Sequence, residues 1–312
     1  MRVIDAIAEI LKREGVEYLS CYPTTSLIEA AAAAGIRPIV CRQERVGVGI
    51  ADGFSRVKNG NPPGVFAMQY GPGAENAFAG VATAFADSTP LLVLPLGHNR
   101  LNEGVYPLFS SQKAYESITR SVDHLGKPDK VVESLRRAFA AATQGRGGPA
   151  LVEIPDDVAT ADVPRELLAG YHSKPRLRAQ GNPQDVEKAA QALIVAERPV
   201  LLAGAGVLYA EATSELRELA EYLQLPVVTT MEGKSAFPET HPLSLGSGSG
   251  VMNGAAHHFV AESDLVLAVG TSLTRHLMVM PIPPGKTIIH ATNDPMDIGK
   301  SYSPDHAILG DA

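Results

Sequence analysis

The sequence has few cysteines, no cluster of basic residues and no long apolar run. Its two cysteines, Cys21 and Cys41, are too few for a disulfide framework and lack zinc-site spacing, which favours a reducing, cytoplasmic compartment. A formal net charge of −7 without any lysine or arginine cluster argues against nucleic-acid binding. No apolar stretch approaches the roughly 20 residues of a membrane span. Residues 1–15 are amphipathic and carry charges of both signs, which is unlike a signal peptide.

The remaining composition is that of a globular protein, with 312 residues, 45% of them apolar and 20% charged. This length is sufficient for two domains. Predicted strands at 17–23, 37–41, 64–70, 90–96 and 149–155 alternate with predicted helices, and several of these strands are apolar throughout. That pattern is typical of parallel sheets covered by helices on both faces.

A second series of alternating strands and helices begins after a change in composition. Residues 162–183 are polar, contain several prolines and show no periodicity, which is typical of an interdomain linker. We therefore predict an α/β protein with two open, mainly parallel sheets flanked by helices. The predicted boundaries are 1–165 for the first domain, 166–184 for the linker and 185–312 for the second domain.

One acidic residue stands out where a predicted strand passes into a predicted helix. Glu44 follows the strand 37–41 and is the only acid at the immediate carboxyl end of a strand in the first domain. The helix after it has apolar residues at helical spacing, which predicts a packed face; these residues are Val46, Ile50, Phe54 and Val57. For an isolated glutamate, the favourable field of the helix dipole is a sufficient explanation.

Three further segments follow Glu44 in a fixed order and change this interpretation. They are ADGFSR at 51–56, GPGAEN at 71–76 and DSTPLLVL at 87–94. The combination resembles the amino-terminal, pyrimidine-binding domain of thiamine diphosphate (ThDP) enzymes of the acetolactate synthase and pyruvate oxidase group. Segments of the second half, such as RPVLLAGAGV and SDLVLAVGTSL, resemble the Rossmann-like central domain of that family. The resemblance covers nearly the entire chain.

The resemblance implies a role for each matching residue. Glu44 corresponds to the family's cofactor-activating carboxyl group, which binds a nitrogen of the aminopyrimidine ring. Such a group works best in a dry pocket, because desolvation favours the protonated form of a carboxyl group. The implied cofactor-binding residues are Pro23, Thr24, Tyr70, Gly73 and Asn76, and the implied substrate residues are Thr25 and Gln112.

Several of these positions have a structural alternative. Residues 24–26 are also suited to capping the helix that follows them. Asn76 could equally fasten its own turn, and Tyr70 could be a packed strand end. The neighbours of Gln112 differ from those in acetolactate synthases. In the second domain the glycine-rich loop 246–254 could approach a nucleotide such as FAD, although a purely structural loop is the preferred interpretation.

In the family, a third domain with a Gly-Asp-Gly motif holds the diphosphate and Mg²⁺. This sequence has Gly310-Asp311-Ala312 instead and contains no metal site of its own. The resemblance therefore implies that the diphosphate- and magnesium-binding domain is absent from this chain. It also implies that the chain is either a piece of a longer enzyme or one subunit of a split enzyme.

These observations predict a ThDP-dependent 2-oxo acid decarboxylase or carboligase similar to acetolactate synthase, that is, a lyase or transferase acting on a carbon–carbon bond. This chain would carry the cofactor-activating half of the site. We expect a homo-oligomer, at least a dimer, or a complex with a separate diphosphate-binding chain, and neither nucleic acid nor membrane as a partner. The alternatives are another ThDP lyase or acyl-transferring enzyme, or a non-catalytic scaffold or regulatory subunit.

Overall fold

The computed structural model describes residues 1–23, 25–249 and 253–312. The chain forms two compact units, Met1–Arg176 and Leu177–Ala312. The boundary between these units falls inside the range 166–184. The interpretation of residues 166–184 as a linker stays a prediction. Residues before the boundary pack on the first unit, since Leu168 and Tyr171 are buried in its core.

The first unit is built on a six-stranded sheet in which every paired strand is parallel. Its strands are β1 (Tyr18–Cys21), β2 (Arg37–Val40), β3 (Gly64–Met68), β4 (Leu91–Gly97), β5 (Ser121–His124) and β6 (Pro149–Pro155). Its helices are α1 (Val3–Arg13), α2 (Leu27–Ala33), α3 (Glu44–Val57), α4 (Pro72–Ala86), α5 (Ser111–Tyr115), α6 (Val131–Thr143) and α7 (Asp156–Thr160). The strand order is β2-β1-β3-β4-β6-β5.

Helices cover both faces of this sheet. One core contains residues of α1, α2, α6 and α7 together with Leu19, Val65 and Leu92 from the strands. The other contains residues of α3, α4 and α5 with Phe66 and Val93. The central strands β3 and β4 are buried along their whole length, because neighbouring side chains point to opposite faces and both faces are covered. The carboxyl ends of the parallel strands consequently form one rim.

Helix α3, which begins at Glu44, is rotated about its axis so that a different face from the predicted one is buried. Val46, Ile50 and Val57 are 52%, 39% and 85% exposed, so the prediction that they form the packed face is wrong. The buried face of α3 consists instead of small residues and one acid; its members are Glu44, Gly47, Val48, Ala51 and Ser55.

Close approach of the backbones explains why small residues face inward. A Cβ atom added at Gly47 would lie 2.4 Å from Cε2 of Phe66, and one added at Gly64 would lie 1.9 Å from the carbonyl oxygen of Ala51. On the neighbouring helix, a Cβ atom at Gly80 would lie 2.2 Å from Cγ1 of Val48. Glycine therefore permits α3 to lie directly on β3 and α4 directly on α3. Larger residues at these positions would separate the layers.

Two of the segments that carry the resemblance, ADGFSR and DSTPLLVL, contact each other and stabilise the fold. Arg56 donates hydrogen bonds from Nε to Asp52 at 2.8 Å and from Nη2 to Asp87 at 2.7 Å. The hydroxyl group of Ser55 donates to the carbonyl oxygen of Pro90. The end of ADGFSR is thus tied to the beginning of DSTPLLVL. These contacts hold the end of α3 against the connection from α4 to β4.

The second unit contains another six-stranded sheet, with every strand pair parallel and the order β12-β11-β10-β7-β8-β9. Its strands are β7 (Pro199–Ala203), β8 (Val227–Thr229), β9 (Ser244–Ser247), β10 (Leu265–Val269), β11 (Thr287–Thr292) and β12 (His306–Leu309). Its helices are α8 (Pro183–Val195), α9 (Ala205–Tyr209), α10 (Thr213–Leu223) and α11 (Gly254–Glu262). Apolar cores lie on both faces of the sheet.

The predicted fold class is confirmed, while two short strands escape prediction. Both β5 and β9 lie at sheet edges, are only partly buried and lack an apolar run, so periodicity gives no signal for them. Among the described residues, no helix is long and apolar enough to cross a membrane.

Candidate active site

Glu44 lies at the carboxyl rim of the first sheet as the first residue of α3 and is only 6% exposed. The side-chain amide Nδ2 of Asn76 donates a hydrogen bond of 2.8 Å to Oε2 of Glu44. Within the described ranges, the second carboxyl oxygen, Oε1, has no hydrogen-bond partner. The carboxyl group is therefore oriented through one oxygen and leaves the other available to a ligand.

The GPGAEN turn brings α4 close to this carboxyl group. Gly71 has φ +56° and ψ −119°, a backbone conformation that favours glycine, and Pro72 starts the helix. A Cβ atom at Gly73 would lie 3.0 Å from Oε1 of Glu44 and 2.5 Å from Cγ of Gln69. Asn76 follows Gly73 by three residues and so lies on the same face of α4. Gly73 leaves Oε1 approachable, and Asn76 holds Oε2.

The other predicted cofactor and substrate residues around β1 and β3 have varied environments. Pro23 is exposed in a bend, and Thr24 lies outside the described residues. The hydroxyl oxygen of the buried Thr25 accepts the backbone N–H of Leu27 at 3.0 Å, which is a local turn contact just before α2. Tyr70 is 46% exposed, and its ring lies 4.2 Å from that of His98.

Gln112, at the beginning of α5, joins a polar cluster that sequence reasoning missed. Its Nε2 lies 2.9 Å from Oε1 of Glu153 and 2.8 Å from Nδ1 of His124. The hydroxyl group of Ser111 donates to Oε2 of Glu153, and Nε2 of His124 lies 2.8 Å from Oε1 of Glu103. The one available signal was an acid inside the otherwise apolar strand β6, PALVEIP.

The charges within this cluster stabilise one another. The hydrogen bond with Glu153 raises the pKa of His124 against the opposing effect of burial, and Glu103 raises it further. Burial favours a higher pKa for Glu153, but the hydrogen bonds from His124, Ser111 and Gln112 outweigh burial and lower it. The cluster therefore favours a carboxylate and an imidazolium in contact.

Helix α5 links this polar cluster to the surroundings of Glu44. Ser111 and Gln112 at its beginning contact Glu153, whereas Tyr115 at its end donates a hydrogen bond to the carbonyl oxygen of Ala74. Ala74 directly follows Gly73 in the first turn of α4. Tyr115 is fully buried, and burial raises the pKa of its phenol, so the hydroxyl group keeps its proton and remains a donor. One short helix thus positions Gln112 relative to α4.

Comparison with known proteins places this arrangement in a family. A family model described as "Thiamine pyrophosphate enzyme, N-terminal TPP binding domain" matches residues 1–121. A second family model, described as "Thiamine pyrophosphate enzyme, central domain", matches residues 186–312. The chain belongs to the thiamine pyrophosphate enzymes. Thiamine pyrophosphate is another name for ThDP, and Glu44, Gly73 and Asn76 all lie in the part that matches the TPP-binding domain.

Curated relatives of this thiamine pyrophosphate enzyme are named acetolactate synthases. A probable acetolactate synthase large subunit of Methanocaldococcus jannaschii is 34% identical over 100% of this chain and 54% of the relative. An acetolactate synthase of Arthrospira platensis is 33% identical over 98% of the chain and 55% of the relative. The isozyme 3 large subunit of Escherichia coli is 30% identical over 99% and 55%, respectively. The chain spans about half the length of the curated relatives it matches.

The residues of the first unit fit the pyrimidine part of ThDP. The carboxyl group of Glu44 is buried, one of its oxygens has no partner among the described residues, and it lies beside a glycine where a side chain would intrude. This arrangement suits a flat ring with a nitrogen at its edge. The described residues thus offer a pyrimidine ring a carboxyl group with room beside it. The described parts of the chain contain no group of three His, Cys, Asp or Glu side chains that could hold a metal ion.

The glycine-rich loop of the second unit is described only in part, because residues 250–252 lie outside the described ranges. Asn253, at its end, donates to the carbonyl oxygens of Leu245 and Ser247 at 2.5 and 3.3 Å. Its side-chain oxygen accepts the backbone N–H of Ala256 at 3.2 Å, which caps α11. These contacts support the structural interpretation of the loop, and FAD binding stays a prediction.

Cys21 and Cys41 are free, buried and expected to be unreactive in the native protein. Burial raises the pKa of Cys21 to about 11 and also raises that of Cys41. Since the thiolate is the nucleophile, we expect almost no reaction with a thiol reagent such as DTNB at pH 8, and two equivalents after unfolding. Rapid stoichiometric labelling of the native chain would contradict this expectation. Titration with DTNB with and without urea provides the measurement.

Proposed function

We propose that this chain supplies the cofactor-activating half of a ThDP-dependent 2-oxo acid decarboxylase or carboligase that resembles acetolactate synthase. The observation that carries the proposal is the environment of Glu44. Its carboxyl group is buried at the rim of a parallel sheet, is oriented by Asn76, and presents beside Gly73 an oxygen that no described residue contacts by a hydrogen bond. The relatives named acetolactate synthase support the reaction type.

Each residue has a distinct part in this proposal. Glu44 exchanges a proton with a ring nitrogen of the pyrimidine, since a carboxyl group can both donate and accept a proton. Asn76 fixes the orientation of that carboxyl group, and Gly73 leaves room for the ring. When bound, ThDP supplies the nucleophilic carbon and the electron sink that carbon–carbon cleavage beside a 2-oxo carbonyl requires. Tyr70 and Gln112, together with Pro23, Thr24 and Thr25, complete the proposed contacts to cofactor and substrate.

The proposal assigns the diphosphate and Mg²⁺ to protein residues other than these 312. A diphosphate carries several negative charges, and a magnesium ion held by carboxylate and amide oxygens is the usual means of neutralising them. The site would then form between this chain and a diphosphate-binding domain, within a homo-oligomer or with a separate chain. The proposed cytoplasmic location rests on the use of cysteine alone.

The test is reconstitution with ThDP, Mg²⁺ and a diphosphate-binding domain of the same family. We expect CO₂ release from pyruvate and formation of a carboligation product, measured by a coupled assay and by mass spectrometry. Turnover of a different 2-oxo or 2-hydroxy substrate would favour another ThDP lyase or acyl-transferring enzyme. Failure to bind ThDP with any such domain would favour a non-catalytic scaffold and would overturn the proposal.

A further inference from the structure

Three polar atoms at the rim of the first unit form a closed triangle. Nε2 of Gln112 lies 2.8 Å from Nδ1 of His124 and 2.9 Å from Oε1 of Glu153. The third side, from Nδ1 of His124 to Oε1 of Glu153, measures 3.0 Å. Each distance is that of a hydrogen bond. The three contacts cannot all be hydrogen bonds at once. Since Oε1 of a carboxylate only accepts, Nδ1 of His124 would have to accept a hydrogen from Gln112 and donate one to Glu153 at the same time.

With a neutral imidazole, both hydrogens of the Gln112 amide group are used. A neutral histidine has one donor and one acceptor nitrogen. Its Nε2 lies 2.8 Å from Oε1 of Glu103, which as a carboxylate only accepts, so the proton belongs on Nε2 and Nδ1 is the acceptor. Gln112 then donates one hydrogen to Nδ1 of His124 and the other to Oε1 of Glu153. No donor of Gln112 remains for a ligand.

Protonation of His124 changes this distribution. Both ring nitrogens then carry hydrogen, so Nδ1–H donates to Oε1 of Glu153 and Nε2–H donates to Oε1 of Glu103. Nδ1 can no longer accept, and one N–H of Gln112 loses its acceptor within the cluster. Gln112 is only partly buried, so its side chain can turn to present this N–H to a bound molecule.

We propose that His124 is a positioning residue whose protonation frees one amide N–H of Gln112 for an acceptor oxygen of the substrate. This inference rests on the proposed function, in which Gln112 faces a 2-oxo acid. The carboxylate and carbonyl oxygens of such a substrate are hydrogen-bond acceptors. Neutral His124 competes with them for the same hydrogen, and protonated His124 does not.

The charged groups around His124 favour its cationic form. Glu153 faces the ring from β6, and Glu103 faces it from the segment before α5. Arg100, which reaches the neighbouring Gly126 and donates to its carbonyl oxygen, is paired with Asp157 of α7 at 2.7 Å. Arg137 is paired with Asp123, the residue before His124. Ser111 and Gln112 of α5 are neutral. Since the pKa of His124 is raised, Gln112 has its free donor up to that higher pH and loses it above.

The first experiment follows the hydrogen bonds directly in the 312-residue chain. A pH titration by NMR monitors the imidazole nitrogens of His124 and the side-chain amide of Gln112, assigned with His124→Gln and Gln112→Glu. We expect the Gln112 amide signals to shift with the same midpoint as His124 and to stop titrating in His124→Gln. His241→Gln is the control, since it removes another histidine–glutamate contact, with Glu221 in the second unit, and should leave the titration unchanged. Gln112 signals that do not respond to the titration of His124 would overturn the proposal.

The second experiment measures the KM for the 2-oxo acid in the reconstituted holoenzyme. We expect KM to rise about tenfold as pH passes the midpoint of His124, since a hydrogen bond to a charged oxygen is lost. His124→Lys, which stays cationic beside Glu103 and Glu153, should keep the low KM, and His124→Gln should keep the high KM. Identical KM–pH profiles in wild type and His124→Gln would refute the role of His124. A holoenzyme without any 2-oxo acid turnover would count against the proposed function instead, and the NMR titration would still decide the coupling.

Discussion

Replacement of Glu44 by glutamine in the holoenzyme is expected to slow exchange of the reactive proton of ThDP by roughly 10²–10⁴-fold. Glutamine has nearly the same shape, and its amide oxygen can still accept the hydrogen bond from Asn76 that Oε2 accepts at 2.8 Å. It cannot, however, exchange a proton with the pyrimidine ring. Hydrogen–deuterium exchange of the cofactor, stopped by acid and read by NMR, measures the effect, and CO₂ release should fall in parallel.

A matched control for Glu44→Gln is available on the neighbouring helix α4. Glu75 lies in the first turn of α4, close to the same rim, but its side chain is exposed. Glu75→Gln makes the same chemical change at an exposed position and should leave proton exchange within about twofold of wild type, as is usual for a surface substitution. Both variants should unfold at the same urea concentration as wild type. Near-normal proton exchange in a folded Glu44→Gln holoenzyme would refute the assigned role.

Replacement of Gly47 by alanine is expected to destabilise the first unit by about 3 kcal/mol, at the upper end of the usual cost of overpacking. The added Cβ atom would lie 2.4 Å from Cε2 of Phe66 and 2.6 Å from Sγ of Cys41. Both neighbours are buried, so neither can move away without disturbing β3 or the end of β2. The urea dependence of hydrogen exchange in β3, followed by mass spectrometry, reports on this unit separately from the second.

Gly49 provides the control for Gly47 in the same helix. A Cβ atom there meets nothing within 4 Å, and the position is exposed. Alanine is a better helix former than glycine, so Gly49→Ala should stabilise the chain by about 0.5–1 kcal/mol. The two substitutions are chemically identical and two residues apart, yet they should change the free energy of unfolding in opposite directions. Equal stability changes in both variants would show that the packing of α3 differs from the one described.

The course of the chain was largely predictable, because the first sheet has long apolar strands alternating with helices of clear period. The rotation of α3 was not. Val46, Ile50 and Val57 have the spacing of a packed face, but glycine at position 47 contributes nothing to a hydrophobic pattern and allows the opposite face to approach β3. A periodicity argument weighs side-chain hydrophobicity, whereas the absence of a side chain decided this contact.

In the candidate site, too, some features were predictable from the sequence and others depend on the tertiary structure. The order of Glu44, GPGAEN and DSTPLL along the chain is a property of the sequence, and this order was sufficient to identify the family. The role of Glu44 in binding the cofactor stays a prediction. That Asn76 holds one oxygen of Glu44 while the other has no partner in the described chain depends on the meeting of α3 and α4 in space.

The amino-acid sequence by itself determined the fold class, the family and the acid at the start of α3, since each rests on residue types at fixed spacing. Only the tertiary structure decided what surrounds Gln112. His124 and Glu153 lie 12 and 41 residues further along the chain, and the parallel pairing of β5 with β6 brings both to α5. No local pattern encodes that contact, because strand pairing between distant segments is decided by the packing of the whole sheet.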